Sequence, residues 1–475
     1  MRKLRSINAL LSIFSCFTVF ATTPVLAQAA PSYAPSPPFI AAPYICVTNY
    51  WVDSVHGSDS NNGTTPALAK ASIMSAAGLL GANNPGVCIN VEPGLYSEYI
   101  NLFGKGGSSG STDSPTNYLV LRSAIPHGAK ITLPSSVYGT DNHVIIGNCC
   151  GSVSNFIIID GFEIAGAGKG SADTAGGILI QAANHVKALN NIVHDMGGAG
   201  ISSTSLNDYM NWQGNAVYNA AWNDAALTSA IITYAQKPYD SKAGNHNIIA
   251  NNVVYSNQFT TNNTENAGIM ADNSGNEANS CTQTLIQNNL VFNNGGVGVY
   301  AYFGSATGQT CAIYIDHNTA YGNNRNTGAS DNFGKGDIGV YNTATGSGAT
   351  VYVTNNIAAA IPNSTWATYS CYDNVSTTPA STWKNNLCFF ATPTGSSGLV
   401  GGSSSSVITT VNANRTSTDP MEPLFVQTGT NFNLIQGSQA IGNGITSTFP
   451  PAIDLAMRLR SSSSIDIGAY AFQRF

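Results

Sequence analysis

Along most of the chain, short apolar steps alternate with polar turns in one recurring order: an Asn in a polar context, a few apolar residues, then an Asn- or Gly-rich turn. The motif reads NNIVHDMGGAGI, GNAVYNAAW, NNVVYSNQ, NNLVFNNGGVGVY, HNTAYGNN, NNIAAAI and NNLCFF. Taking the Asn directly before each apolar step gives Asn191, Asn215, Asn252, Asn289, Asn318, Asn356 and Asn386, separated by 24, 37, 37, 29, 38 and 30 residues. A bare coil of a β-solenoid needs roughly two dozen residues, and longer intervals add loops without disturbing the stack. Each coil can bury Val, Ile or Leu at alternate positions only because its neighbours cover it. An Asn repeated at one bend stacks on its counterpart in the next coil, so the side-chain amides are expected to form a hydrogen-bonded ladder. A propeller or a sandwich does not call for an Asn at one fixed point followed by unequal loops. The pattern therefore predicts an all-β chain folded as a parallel β-helix.

The first coils are less regular: NYWVDSVHGSDSNNGTTPA, VCINVEPGLYSEYINL, YLVLRSAIP and FIIIDGFEIAG. A solenoid needs its open ends covered. Residues 44–85 are read as an N-terminal cap, with one helix over Ala67–Leu80, and the C-terminal cap is expected beyond about residue 400, after GSSGLVGGSSSS. The organisation expected is a signal segment over 1–29, a Pro/Ala/Ser-rich linker over 30–43, a capped β-helix over 44–400, and further coils with a cap over 401–475.

The signal reading rests on Met1-Arg2-Lys3-Leu4-Arg5, an apolar stretch from Ala9 to Ala21, and the small-residue run Ala27-Gln28-Ala29-Ala30, with cleavage expected after Ala29. That stretch is short for a membrane span, and no later segment offers one. A secreted protein is expected, extracellular or periplasmic. Losing Arg2, Lys3 and Arg5 from 18 cations leaves 15 against 24 acids, a net charge near −9. Such a balance argues against nucleic acid, and a polyanionic substrate needs a local exception to it. Charged residues make up only 9% of the chain, yet hydrophobic residues at 43% suffice for a long core. With Cys16 in the signal, eight Cys remain, and an even count in an exported chain favours disulfides. Cys281 with Cys311 and Cys371 with Cys388 are the preferred pairs, and no Cys pair has zinc spacing with a matching His.

Several segments resemble secreted right-handed parallel β-helix proteins of the pectate-lyase-like superfamily. Tyr50–Pro66 followed by Pro93-Gly94-Leu95-Tyr96 resembles the opening of that family, and Asp419-Pro420, FNLIQGSQAIGNG and DIGAYAF at 466–472 resemble its close. Residues 206–300 resemble, more distantly, lyases that use a Lys base beside a calcium bound by acidic residues. In those lyases the Lys lies just before a Gly-Asn strand and the acids follow the next Asn-rich turn. Here Lys237 and Lys242 precede Gly244-Asn245, and Glu265 and Asp272 follow Asn257. The tight Asp cluster of those lyases is absent.

Cleaving a uronate polymer by β-elimination means removing the C5 proton beside a carboxylate whose charge opposes a carbanion. A cation can neutralise that carboxylate while a base of lowered pKa takes the proton. Lys237, after an apolar strand and in a stretch poor in other cations, is the first candidate base, and Lys242 the second. Asp224, Glu265 and Asp272 are the candidate calcium ligands, since stacked coils can bring them to one face. Tyr234, Tyr239 and Tyr300, with Tyr255 and Tyr302, could stack on sugar rings or equally cover the edge of a coil. Of the seven His, His246 shares a coil with Lys237, and His194-Asp195 also merits weighing.

Three functions remain open on these residues. The first is a polysaccharide lyase acting as a monomer on an acidic polysaccharide such as pectate. The second is a uronate C5-epimerase of alginate type, in which His246 or Tyr239 would act as a second acid. The third is a carbohydrate-binding protein without catalysis, because a fold does not fix a function.

Overall fold

The computed structural model describes residues 35–108, 110, 112–137, 142–147, 154–168, 173–204, 206–222, 228–257, 267–274, 281–304, 308, 310–325, 336–342, 348–360, 370–376, 381–390, 400–401, 415–417, 425–427 and 429–473. Its strands form three long sheets in which every pairing is parallel: eleven strands in the first, from Thr48–Val52 to Ser381–Lys384; ten in the second, from Ile100–Asn101 to Val400–Gly401; eleven in the third, from Gly94–Ser97 to Arg415–Ser417. One coil contributes one strand to each sheet. Asp208–Gln213 lies in the first, Ala216–Tyr218 in the third, Ile231–Tyr234 in the second, and Asn247–Ala250 returns to the first, beside Asp208–Gln213. The chain is a right-handed parallel β-helix, as the repeat implied.

Inward positions stack by residue type. On the second sheet Ile201, Ile231, Ile269, Val299 and Ile338 stand in register and are fully buried. Each such side chain stabilises the stack by about 1.5–3 kcal/mol. The bend from the first sheet to the third carries the expected ladder. Asn191, Asn215, Asn252, Asn289, Asn318 and Asn356 each donate from Nδ2 to Oδ1 of the next Asn, ending on Asn386, at 2.9–3.1 Å. The residue before each rung takes the left-handed conformation: Asn190, Gly214, Asn251, Asn288, His317, Asn355 and Asn385 have φ between 50° and 67°. Gly, Asn and His tolerate that region best, so the first Asn of each NN pair makes the bend and the second makes the ladder.

A second ladder, not anticipated from sequence, runs along the bend from the third sheet to the second. Asn257 donates to Asn294, Asn294 to Asn323, and Asn323 to the carboxylate of Asp337, at 2.8–2.9 Å.

The single helix expected over Ala67–Leu80 is instead a 3-10 turn at Pro66–Leu68 and a short α-helix at Ile73–Ala77. Two things break it. Lys70 pairs with Val52 in an isolated bridge, and the Asp59 carboxylate accepts from the amides of Ala71 and Ser72, both at 2.9 Å. Ser72 then caps the helix, and Glu98 accepts from the amides of Ile73 and Met74. Ile73, Ala76 and Ala77 close the end of the core.

The preferred bridges Cys281–Cys311 and Cys371–Cys388 are both present, and Cys46–Cys88 is a third. Cys149 and Cys150 lie outside the described residues, as does the signal segment. The linker read over 30–43 is packed where it is described: Ile40 exchanges two hydrogen bonds with the Asn190 side chain, and just beyond it Tyr44 donates to Asp160 at 2.7 Å. Towards the C-terminus, Phe425, Phe432, Leu455, Ile467 and Tyr470 cover outer side chains of the third sheet such as Tyr255, Phe292 and Ile357. Among the described residues no helix is long and apolar enough to cross a membrane.

Candidate functional site

On the outer face of the second sheet, Thr204, Tyr234, Asp272, Tyr302 and Tyr341 occupy one register on five successive strands. A groove of about 480 Å³ opens over this column and is lined by Asn142, Ser202, Thr204, Thr228, Tyr234 and Asp272 among others. It crosses the strands Ile178–Gln181, Ile201–Thr204, Ile231–Tyr234 and Ile269–Asp272, which at roughly 4.8 Å per strand is a length of about 14 Å along the helix axis.

Asp272 is the ionisable acid of this groove, and none of the described lining residues is a cation. Its side chain is 4% exposed. Burial raises its carboxyl, hydrogen bonds from Ser274 offset part of that rise, and the group stands at about 6. A carboxyl that exchanges its proton near neutrality, at the wall of a groove, is suited to acid–base work. Tyr234 is 37% exposed at the same wall. Beyond Asp272 the half-buried rings of Tyr302 and Tyr341 stack at 5.0 Å between centroids.

Lys237 follows Tyr234 by three residues, in the turn that leaves the groove. That turn is stacked on its neighbours through the backbone: Ala235 N donates to Asp272 O, and Lys237 N to Asn207 O at 3.1 Å. The Lys237 side chain is exposed. The turn then descends to a second cleft, of about 400 Å³, on the outer face of the first sheet. There His246 donates from Nδ1 to buried Asp208 at 2.8 Å, and its Nε2 faces the Lys242 carbonyl at 2.8 Å. With an acceptor at each nitrogen, the ring is built to carry both protons. The bond to Asp208 raises its pKa, and burial opposes the rise without cancelling it. Tyr209 stacks between His185 and His246, each at 4.3 Å, and donates to Asp240 at 2.7 Å. Burial alone would raise the Asp240 carboxyl, but Tyr209 together with the amide and ammonium of Lys242 outweighs it and holds the group at about 2.

The expected site residues thus divide. Tyr234 and Asp272 line the groove, Lys237 lies three residues beyond Tyr234 in the exposed turn and is not among the groove's lining residues, and Lys242, His246 and Tyr239 belong to the second cleft or its rim, with the Tyr239 ring edge-on to His185 at 5.9 Å. Tyr300 is 2% exposed inside an apolar cluster with Ile232, Met270 and Val297, so it offers no ring face to a sugar. Asp224 and Glu265 lie outside the described residues. Among the described residues no group of three or more His, Cys, Asp or Glu is placed to hold a metal ion. Asp272 is the one carboxylate among the groove's described lining residues, beside hydroxyls and the Asn142 amide. His194, bonded to Asp195 and Glu163 and stacked on Tyr218, belongs to the third sheet. Sequence reasoning missed Tyr341 and the cleft residues His185, Lys187 and Tyr209. The coil-to-coil register that aligns Tyr341 with Tyr302 could have flagged it.

No protein-family model matches the chain, and no curated protein is similar to it in sequence. Solved structures do resemble it. Pectate lyase Pel9A is 16% identical over 92% of this chain and 99% of its own, with a TM-score of 0.51. A glycoside hydrolase is 10% identical over 79% and 97%, TM-score 0.45, and the periplasmic alginate epimerase AlgG is 11% identical over 70% and 68%, TM-score 0.39. The likeness to the pectate lyase establishes a shared right-handed parallel β-helix fold and nothing finer.

Proposed function

We propose that this chain is an exported carbohydrate-active enzyme, a polysaccharide lyase that cleaves an acidic, pectate-like polymer by β-elimination in the groove of the second sheet. The observation that carries the reading is Asp272: a buried carboxyl held at about 6 in the wall of an elongated groove, one turn from Lys237. An open groove running along the helix axis suits an extended polymer, and Tyr234 presents a ring at its wall. Three disulfides support export.

In this reading Lys237 is the group that takes the C5 proton. The electron pair forms the C4–C5 double bond as the C4–O bond breaks, and Asp272, protonated below about pH 6, gives its proton to the departing oxygen. Calcium is the competing role for Asp272, since a carboxylate that holds a cation has given up its proton. The test is to offer pectate, alginate and glucuronan to the purified protein, with calcium and with chelator, and to follow the ultraviolet band of unsaturated uronate. A rise on one polymer, lost in Lys237→Ala, supports the proposal. Activity that survives chelation removes calcium from the mechanism and leaves the lyase standing, and no rise on any polymer overturns the lyase.

A further inference from the structure

The cleft on the first sheet gathers basic side chains in a chain with net charge −6. Its lining includes Lys187, Lys242 and His246, with Asp113 as the acid among them. Asp208 and Asp240 are committed behind it, the first to His246 and the amide of Tyr239, the second to Tyr209 and Lys242. Lys187 projects from the strand Asn184–Leu189 with a side chain only 9% exposed, its ammonium 4.5 Å above the ring of Tyr118. It meets both oxygens of Asp113, at 3.2 and 3.3 Å, while the Tyr118 hydroxyl donates to Oδ1 of the same carboxylate at 2.8 Å. Asp113 itself is 56% exposed.

We infer that this cleft is a second binding site, for the carboxylate of an acidic sugar, and that Asp113 is its resident stand-in. A nearly buried ammonium cannot be left without an anion at small cost. Whatever displaces Asp113 from Lys187 and Tyr118 must therefore itself bring an anion, which the carboxylate of an acidic sugar supplies and a neutral sugar does not. Asn211, Asn245 and Thr112 line the same space and can take sugar hydroxyls, and the stacked rings of His185 and Tyr209 form one wall. The site goes beyond the lyase reading: it lies on a different sheet and grips the polymer without reacting with it. It supplies the local exception that an acidic protein needs in order to hold a polyanion.

The test uses the full mature protein and D-galacturonate, which has no glycosidic bond to break, so binding is read whether or not the chain is a lyase. Calorimetric titration is run against galacturonate, galactose and acetate. Wild type is expected to bind galacturonate, to bind acetate more weakly, and to ignore galactose. Asp113→Asn removes the internal competitor and is expected to tighten galacturonate about tenfold, the worth of one charge-assisted contact. Lys187→Gln and the exposed Lys242→Gln are expected to weaken it. Because the Asp113→Asn effect is a gain, it stands even if Lys187→Gln fails to fold. Unchanged or weaker binding in Asp113→Asn, equal binding of galactose, or acetate binding as tightly as galacturonate each overturns the inference.

Discussion

Replacing Asp272 by Asn should stabilise the protein at alkaline pH and not at acid pH. In the unfolded chain the carboxyl titrates near 3.9, whereas in the folded groove burial holds it at about 6. Between those values the native state keeps a proton that the unfolded state has released, so stability falls as pH rises. Over about two pH units at roughly 1.4 kcal/mol each, the buried charge costs about 3 kcal/mol above pH 6. Asn keeps the size and a side-chain oxygen that can still accept from the Ser274 amide, without the charge. Chemical denaturation from pH 3.5 to 8.5, with chelator present, should show Asp272→Asn gaining on wild type from about pH 4 and levelling off above about pH 6. A difference that is flat with pH would refute the assignment of a raised carboxyl. Repeating the series with calcium separates the two roles of Asp272: a cation bound there would remove the alkaline penalty from wild type alone.

Three further outcomes are expected. Asn252→Ala leaves the buried Asn215 amide and the Trp212 carbonyl without their ladder partner, at a cost of about 3 kcal/mol, while Asn251→Gly keeps the left-handed bend and should stay within about 1 kcal/mol; equal costs on denaturation would show that the ladder contributes nothing. His246, with its pKa raised chiefly by Asp208, holds the 237–246 turn fully below about pH 6.5 and lets go as pH rises through its raised value, so amide exchange in that turn should quicken above neutrality in wild type and be insensitive to pH in His246→Gln. Replacing both Cys371 and Cys388 by Ser opens a bridge spanning 17 residues and should lower stability by about 3 kcal/mol, read as a lower denaturation midpoint than wild type without reductant; an unchanged midpoint would show that the bridge adds nothing.

Much of the fold was legible because its determinants are local and repeated. The NN pairs carry two separate physical demands, a left-handed bend and an amide ladder, and both recur at every coil, so pattern alone located them. The cap helix was misjudged because a long-range carboxylate, Asp59, takes the amides of Ala71 and Ser72 that a continuous helix needs, and no local propensity reveals that. The site was legible only in part. Sequence context ranks Lys237 above Lys242, but it does not reveal that the turn between them leads to another face of the solenoid, where Lys242 lines the cleft on the first sheet. Tyr300 and Tyr302 share the outer face as their spacing requires, with rings 5.8 Å apart, but only the fold shows that Tyr300 is covered by Ile232, Met270 and Val297 while Tyr302 stays half-buried on Tyr341. Lys187 and Asp113 are 74 residues apart, and only the stack brings them together.

Proton NMR of each polymer after incubation in D2O with wild type or Lys237→Ala reads the proposed chemistry at the reacting carbon. A new vinyl signal at C4 with chain scission, absent for Lys237→Ala, is the expected result. Deuterium entering at C5 with the chain intact would make the protein an epimerase, and unchanged spectra for every polymer would contradict catalysis in the groove altogether.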